Sequence, residues 1–267
     1  MRIGTYNILG FTGYPADEAA KELGGPSSPK TVAYFAAVIR ELACDVLVLE
    51  EGTLDQAMLL QLAKTLGVRA ATIPAARKWP VQLLTRYPIL ESRAYSHIAP
   101  GDIEPNAQPF SRAFGAVKVK VEGSDWWFIG LHRHPSLPKL REQETARLME
   151  CVDGLQRECR NIVVAGDFNG PVSESFHEAF RRRGFVNAME KAGGGIAATA
   201  DTFGLTRKNY IDHIYLSPAL APSLTGAQVV RGPRFRDDGP ARRGFWVNSD
   251  HLPVLADLTL PGEAAKR

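Results

Sequence analysis

Apolar residues fall into many short runs, and several of these end in a polar residue followed by glycine or proline. The plainest is Ile162-Val-Val-Ala165, closed by Gly166-Asp-Phe-Asn-Gly-Pro171, the pattern of a strand buried on both faces with polar groups at its tip. Residues 2–9 and 46–49 read as strands too. Residues 30–42 place Val32, Phe35, Ala36, Ile39 and Leu42 on one helical face. Thr53 is a candidate cap for a second helix carrying Met58, Leu59, Leu62 and Leu66, which ends at Gly67. Residues 10–29, rich in Gly, Pro and Ser, read as a long loop at the rim of a site.

The pattern then changes to short strands over 68–73, 81–85, 92–96, 112–121 and 126–131. In the fourth, Ala113, Gly115, Val117, Val119 and Val121 alternate with Phe114, Lys118 and Lys120, as in a half-exposed antiparallel strand. Pro138 opens a helix to about residue 159, with Leu140, Leu148, Val152 and Leu155 as its stripe and pairs such as Glu144/Arg147 on the outside. A further helix over 174–183 and strands near 210–216, 225–231 and 252–260 complete the pattern. Mixed strands with helices towards both ends predict an α/β sandwich, two packed sheets with helices outside. Polar motifs near both termini require the ends to fold together, so residues 1–267 are read as a single domain.

The polar tips carry the candidate chemistry. Asp167 and Asn169, two apart, share one side of an extended chain while Phe168 points back into the protein, although Asp and Asn also close ordinary turns. Glu51 leaves an apolar strand just before Gly52, where oxygen ligands suit a hard cation; Glu50 should point the other way, behind the site or to the surface. Asp212 lies between Ile211 and Ile214, where an unpartnered carboxylate is costly, and His251 is the obvious partner because the pairing fixes the imidazole tautomer.

Together the stretches TYNIL (5–9), LVLEEG (47–52), GDFNGP (166–171), YIDHIYLS (210–217) and NSDHLPV (248–254) resemble the endonuclease/exonuclease/phosphatase superfamily of metal-dependent phosphoesterases, from residue 3 to about 258. The resemblance implies a four-layer α/β sandwich, two packed mixed β-sheets flanked by helices, with the site at one edge of the sheets. It implies Glu51 as the metal-binding glutamate, with Asn7, Asp250 and Asp167 at the metal, and the Asp212–His251 pair. Asn169 would orient water or substrate, and His132 would hydrogen-bond a phosphate oxygen. His251 either takes the proton of the attacking water or stabilises phosphate as imidazolium, with Asp167 as the alternative base. Magnesium suits such a ligand set because it keeps several waters, and manganese can substitute.

Composition adds little. A net charge of +3 and a pI near 8.8 mildly favour an anionic partner. Cys44, Cys151 and Cys159, with no CxxC spacing, read as reduced, which fits a cytoplasmic protein, as does the absence of room for a leader before Ile3. No run approaches the ~20 apolar residues needed to span a bilayer. Between Asp212 and His251, the stretch containing Arg234, Arg236, Arg242, Arg243 and Trp246 is either a phosphate and base platform or a solvated loop. His134 is either a rim residue or a substrate contact; His97, His177 and His213 read as structural. The expected activity is phosphodiester hydrolysis, on nucleic acid or a smaller diester, with no obligate protein partner. The alternatives are a phosphomonoesterase acting on a sugar or inositol phosphate, and a catalytically silent binding module of the same fold.

Overall fold

The computed structural model describes residues 1–75, 78–95, 110–200, 209–235 and 244–260. In chain order its elements begin β1 (Arg2–Asn7), α1 (Ala16–Leu23), α2 (Pro29–Leu42), β2 (Val46–Glu50), α3 (Gln56–Leu66), β3 (Arg69–Ile73), β4 (Val81–Thr85), β5 (Ile89–Ala94), β6 (Phe114–Val121) and β7 (Ser124–His132). They continue with α4 (Pro138–Glu158), β8 (Ile162–Asp167), α5 (Ser175–Arg182), β9 (Val186–Asn187), α6 (Ala188–Ala192), β10 (Asp212–Leu216), β11 (Leu224–Val229) and β12 (Val254–Leu258). Among the described residues these strands form two six-stranded sheets, ordered β11-β12-β1-β2-β4-β3 and β5-β6-β7-β8-β10-β9. Each sheet holds one parallel pair, β1/β2 joined through α2 and β7/β8 joined through α4, with antiparallel neighbours around it.

Three apolar clusters define four layers. Ile3, Val48, Val117, Phe128, Val163 and Ile214 pack between the sheets. Phe35, Ile39, Leu47 and Leu62 lie between the first sheet and α2/α3. Trp127, Ile129, Leu148, Val152, Phe176 and Phe180 lie between the second sheet and α4/α5. Strand alternation puts Trp126 in the inter-sheet layer and Trp127 beneath the helices, so both are buried.

Several boundaries follow local chemistry that periodicity does not reveal. Ser28 caps α2, accepting from Thr31 N–H at 3.1 Å, with Pro29 at the first helical position. Asp55, not Thr53, caps α3; the Thr53 hydroxyl instead accepts from Asp55 N–H at 3.0 Å in the turn before it. The expected loop over 10–29 contains α1, which buries Ala19 and Leu23. β5 starts at Ile89, earlier than expected, and residue 96 lies outside the described residues. Glu144, expected on the outer face of α4, is buried against the second sheet, whereas Arg147 is paired outside with Glu150 at 3.2 Å.

Sheet topology assembles the site. The two parallel pairs end side by side, so Asn7, Glu50, His132 and Asp167 stand at strand C-termini, while antiparallel β10 brings its first residue, Asp212, opposite Asp167. His132 is likewise in register with Asp167, and Asn7 with Glu50.

Candidate active site

Asp167 is the hub. Its Oδ1 accepts from Asn169 N–H at 2.8 Å and its Oδ2 from Asn7 Nδ2 at 3.1 Å, a hydrogen bond that links the two sheets. Asn169 shares the site for a different reason than strand alternation. It lies past the end of β8 with a left-handed backbone (φ 49°), and its side-chain Nδ2 donates to Arg133 O at 3.0 Å. Asn7 is itself anchored: Leu9 N–H donates to its Oδ1 at 3.2 Å, and the Ser249 hydroxyl donates to its backbone carbonyl at 2.6 Å. That same hydroxyl accepts from His251 N–H at 3.2 Å, which ties the loop carrying Asp250 and His251 to the end of β1.

His251 Nδ1 lies 2.9 Å from Asp212 Oδ2, and its Nε2 faces Asp167 Oδ2 at 3.9 Å. Ligand atoms of Asp167, Asp212 and His251 all lie within 4.8 Å of one another, and all three residues are buried. Burial alone would depress the His251 imidazole, but the charge and hydrogen bond of Asp212, then Asp167 and Asp250, hold it well above its ordinary range. Burial, and then Asp212, push the Asp167 carboxyl upward, against His251 and the donors from Asn169 and Asn7.

Glu51 follows β2 with a left-handed backbone (φ 52°) that turns its carboxylate towards the site. Burial, with Asp250 adding to it, raises its carboxyl above the ordinary value against the opposing effects of Arg112, Asn7 and His251. Glu50 is buried, not on the surface: Thr5 Oγ1 donates to its Oε1 at 2.7 Å, and burial followed by Asp212 holds its carboxyl far above the usual range. His132, also buried, is held well below its ordinary value by burial, then Arg112 and His251, which disfavours its charged form. Its Nε2 accepts from Arg112 Nη1 at 2.8 Å and lies 3.4 Å from Asp167 Oδ2.

Arg112 was not singled out from sequence. It precedes β6, donates to Glu51 Oε1 at 3.0 Å as well as to His132, and lies 5.9 Å from the Trp79 ring centroid. Only the pairing of β6 with β7 places a cation there; in sequence it is one charged residue before an alternating strand. One expected substrate contact is corrected. Trp246 is 3% exposed, packed with Tyr34 and overlain by Arg234, and its Nε1 donates to Glu22 at 3.0 Å; it is a core residue, not an open stacking surface. His134 Nδ1 accepts from Ser136 N–H and Leu137 N–H at 3.2 and 3.1 Å, closing the turn that leads into α4. Arg234 is half exposed, its guanidinium near Glu22 at 4.0 Å. Arg236, Arg242, Arg243 and His97 lie outside the described residues. His213 is buried among Phe168, Phe176 and Tyr215, and His177 bonds Tyr215 OH at 2.8 Å, both structural.

Carboxyls outnumber cations here: Glu50, Glu51, Asp167, Asp212 and Asp250 interact with one another against Arg112 and His251. A partly buried surplus of carboxylate oxygen fits a hard divalent cation, and Asp167, Asp212 and His251 offer ligand atoms within 4.8 Å of one another.

Sheets, flanking layers and the carboxylate-histidine cluster together define a site of the endonuclease/exonuclease/phosphatase type. The sequence model of the Endonuclease/Exonuclease/phosphatase family matches residues 4–251, and the chain belongs to that family. Solved structures share the fold. A mannosyl-6-phosphatase of Bacteroides thetaiotaomicron superposes with a TM-score of 0.73 at 18% identity, covering 97% of this chain and 100% of that one. An endonuclease/exonuclease/phosphatase family protein from the same organism gives 0.70 at 19% identity, covering 96% of each chain. A 3′ phosphatase from Neisseria bound to a product DNA hairpin gives 0.67 at 19% identity, covering 97% and 100%. No curated protein sequence matches the chain. Among the described residues no helix is long and apolar enough to cross a membrane.

Proposed function

We propose that this protein is a divalent-metal-dependent phosphoesterase that hydrolyses a phosphodiester, a nucleic acid or a smaller diester, by in-line attack of water. The observation that carries the reading is the convergence of buried Asp167, Asp212 and His251 beside Glu51 and Arg112. Magnesium or manganese held by Glu51, Asn7, Asp167 and Asp250 would neutralise phosphate charge. Arg112 supplies guanidinium N–H groups to a non-bridging phosphate oxygen, and neutral His132 orients Arg112 by accepting one of them. Asp212 fixes the His251 ring through Nδ1, which leaves Nε2 facing the reacting phosphate as a charged hydrogen-bond donor. Asp167, aligned by Asn7 and Asn169, is positioned to accept the proton of the attacking water.

A phosphomonoester substrate is the second reading. It is favoured by the burial of Trp246, which withdraws from the arginine-rich stretch the aromatic singled out as a base-stacking residue. The test is to assay purified protein on single- and double-stranded DNA, RNA, a nucleotide, a sugar phosphate and an inositol phosphate with magnesium, manganese or EDTA. Preference for a diester supports the first reading, and preference for a monoester the second. Hydrolysis of none of them argues for a silent binding module.

A further inference from the structure

Glu144 is a buried carboxylate in a helix outside the site. Its Oε1 accepts from the backbone N–H of Ser111 at 2.9 Å and also from the Ser111 hydroxyl. Its Oε2 accepts from the backbone N–H of His134 at 3.2 Å, and Arg133 Nε lies 3.7 Å away. The β6/β7 ladder runs from Val121 opposite Ser124 to Phe114 opposite Leu131, and His132 N–H extends it by one bond to Ala113 O at 2.8 Å. Past that bond, the Glu144 carboxylate bridges the two chains through Ser111 and His134. Ser111 is the residue before Arg112, and His134 is two residues after His132.

We propose that Glu144 is a positioning residue for the reaction: by clamping the backbone on both sides of the β6/β7 mouth, it holds Arg112 Nη1 2.8 Å from His132 Nε2 and 3.0 Å from Glu51 Oε1. The proposal rests on the reading of Arg112 as a phosphate ligand. A carboxylate suits the task because both oxygens accept, and charge-assisted bonds to buried N–H groups are stronger than neutral ones. Glutamine does not, because its amide nitrogen is a donor and must meet either the Ser111 donors or the His134 N–H beside the Arg133 guanidinium. A guanidinium displaced by about an ångström at a reacting phosphate costs on the order of 100-fold in rate.

The test is a double-mutant cycle of Glu144→Gln with Arg112→Ala. Ser111→Ala, which removes only the hydroxyl donor, serves as a gentler second probe in the same cycle, with thermal melts showing that each variant is folded. Glu144→Gln is expected to lower kcat/KM by about 10- to 100-fold, and Ser111→Ala by less, whereas in the Arg112→Ala background neither costs more than about threefold. A crystal structure of Glu144→Gln is expected to show the Arg112–His132 hydrogen bond broken. Losses that multiply in the double mutants, or a retained Arg112–His132 bond, overturn the proposal. Wild-type turnover in Arg112→Ala would instead remove the reading of Arg112 as a phosphate ligand, and the Arg112–His132 distance in Glu144→Gln would still decide whether Glu144 positions that side chain.

Discussion

His251 Nδ1 and Asp212 Oδ2 meet at 2.9 Å although the residues are 39 positions apart, the carboxylate at the start of β10 and the imidazole in the loop before β12. The pair is expected to act as a unit. Asp212→Asn and His251→Gln are each expected to lower kcat by about 1,000-fold, and the double mutant by no more than about tenfold further, because removing either member already disables the shared task. Steady-state kinetics on the three variants check this; independent, multiplying losses would count against the pairing.

Arg112→Ala is expected to lower kcat/KM by about 100- to 1,000-fold, the usual cost of one donor aimed at developing negative charge. The same substitution strips Glu51 of its guanidinium partner and removes a competing cation from that carboxylate. Manganese binding, followed by calorimetry in the absence of substrate, should therefore tighten in Arg112→Ala and weaken in Glu51→Gln. A Glu51→Gln protein that binds manganese like the wild type would exclude Glu51 as a metal ligand.

Stability should have an acid limb set in part by His213. Burial pushes its imidazole down to about 4, with Asp212 opposing. Between the unfolded value near 6.5 and about 4, the unfolded chain takes up a proton that the folded one refuses. The contribution is thus fully present above the unfolded value and is lost as pH falls through this window, by at most about 3 kcal/mol. Urea titrations across this range should show a shallower pH slope for His213→Gln than for the wild type; equal slopes would mean that His213 binds its proton as readily in the fold as in the unfolded chain.

Trp246→Ala should act through stability rather than recognition. Its ring fills the layer under α2 with Tyr34 and Phe235, so truncation is expected to cost about 3 to 5 kcal/mol and lower Tm. Affinity for single-stranded DNA, measured on folded, catalytically inactive protein by salt titration, should be unchanged. A selective loss of affinity with Tm intact would restore Trp246 as a stacking surface.

Sheet-forming runs and the principal helix faces were legible because buried strands and amphipathic helices leave periodic signatures, as in 162–165 and 30–42. Polar residues interrupting those runs pointed to Asn7, Glu51, Asp167, Asp212 and His251, and the structure brings them together. Arg112 and Glu144 were not legible. Each is a charged residue in a stretch where exposure is the ordinary expectation, and only the β6/β7 register and the seating of α4 turn them inward. Trp246 misled for the converse reason: interleaved arginines suggested an open platform, but α1 in the expected loop over 10–29 supplies Glu22, which binds its indole N–H. Asn169 reached the site through a left-handed turn rather than strand alternation, a distinction that residue spacing alone does not encode.

The most direct measurement is the initial rate of hydrolysis of bis(p-nitrophenyl) phosphate by wild type, Asp167→Asn and His251→Gln, each with manganese, with magnesium and with excess EDTA. Turnover by the wild type with either metal, abolished by EDTA and reduced by about 100-fold or more in both variants, is the predicted result. Wild-type hydrolysis that persists undiminished in EDTA, or that is unaffected by both substitutions, would contradict the account.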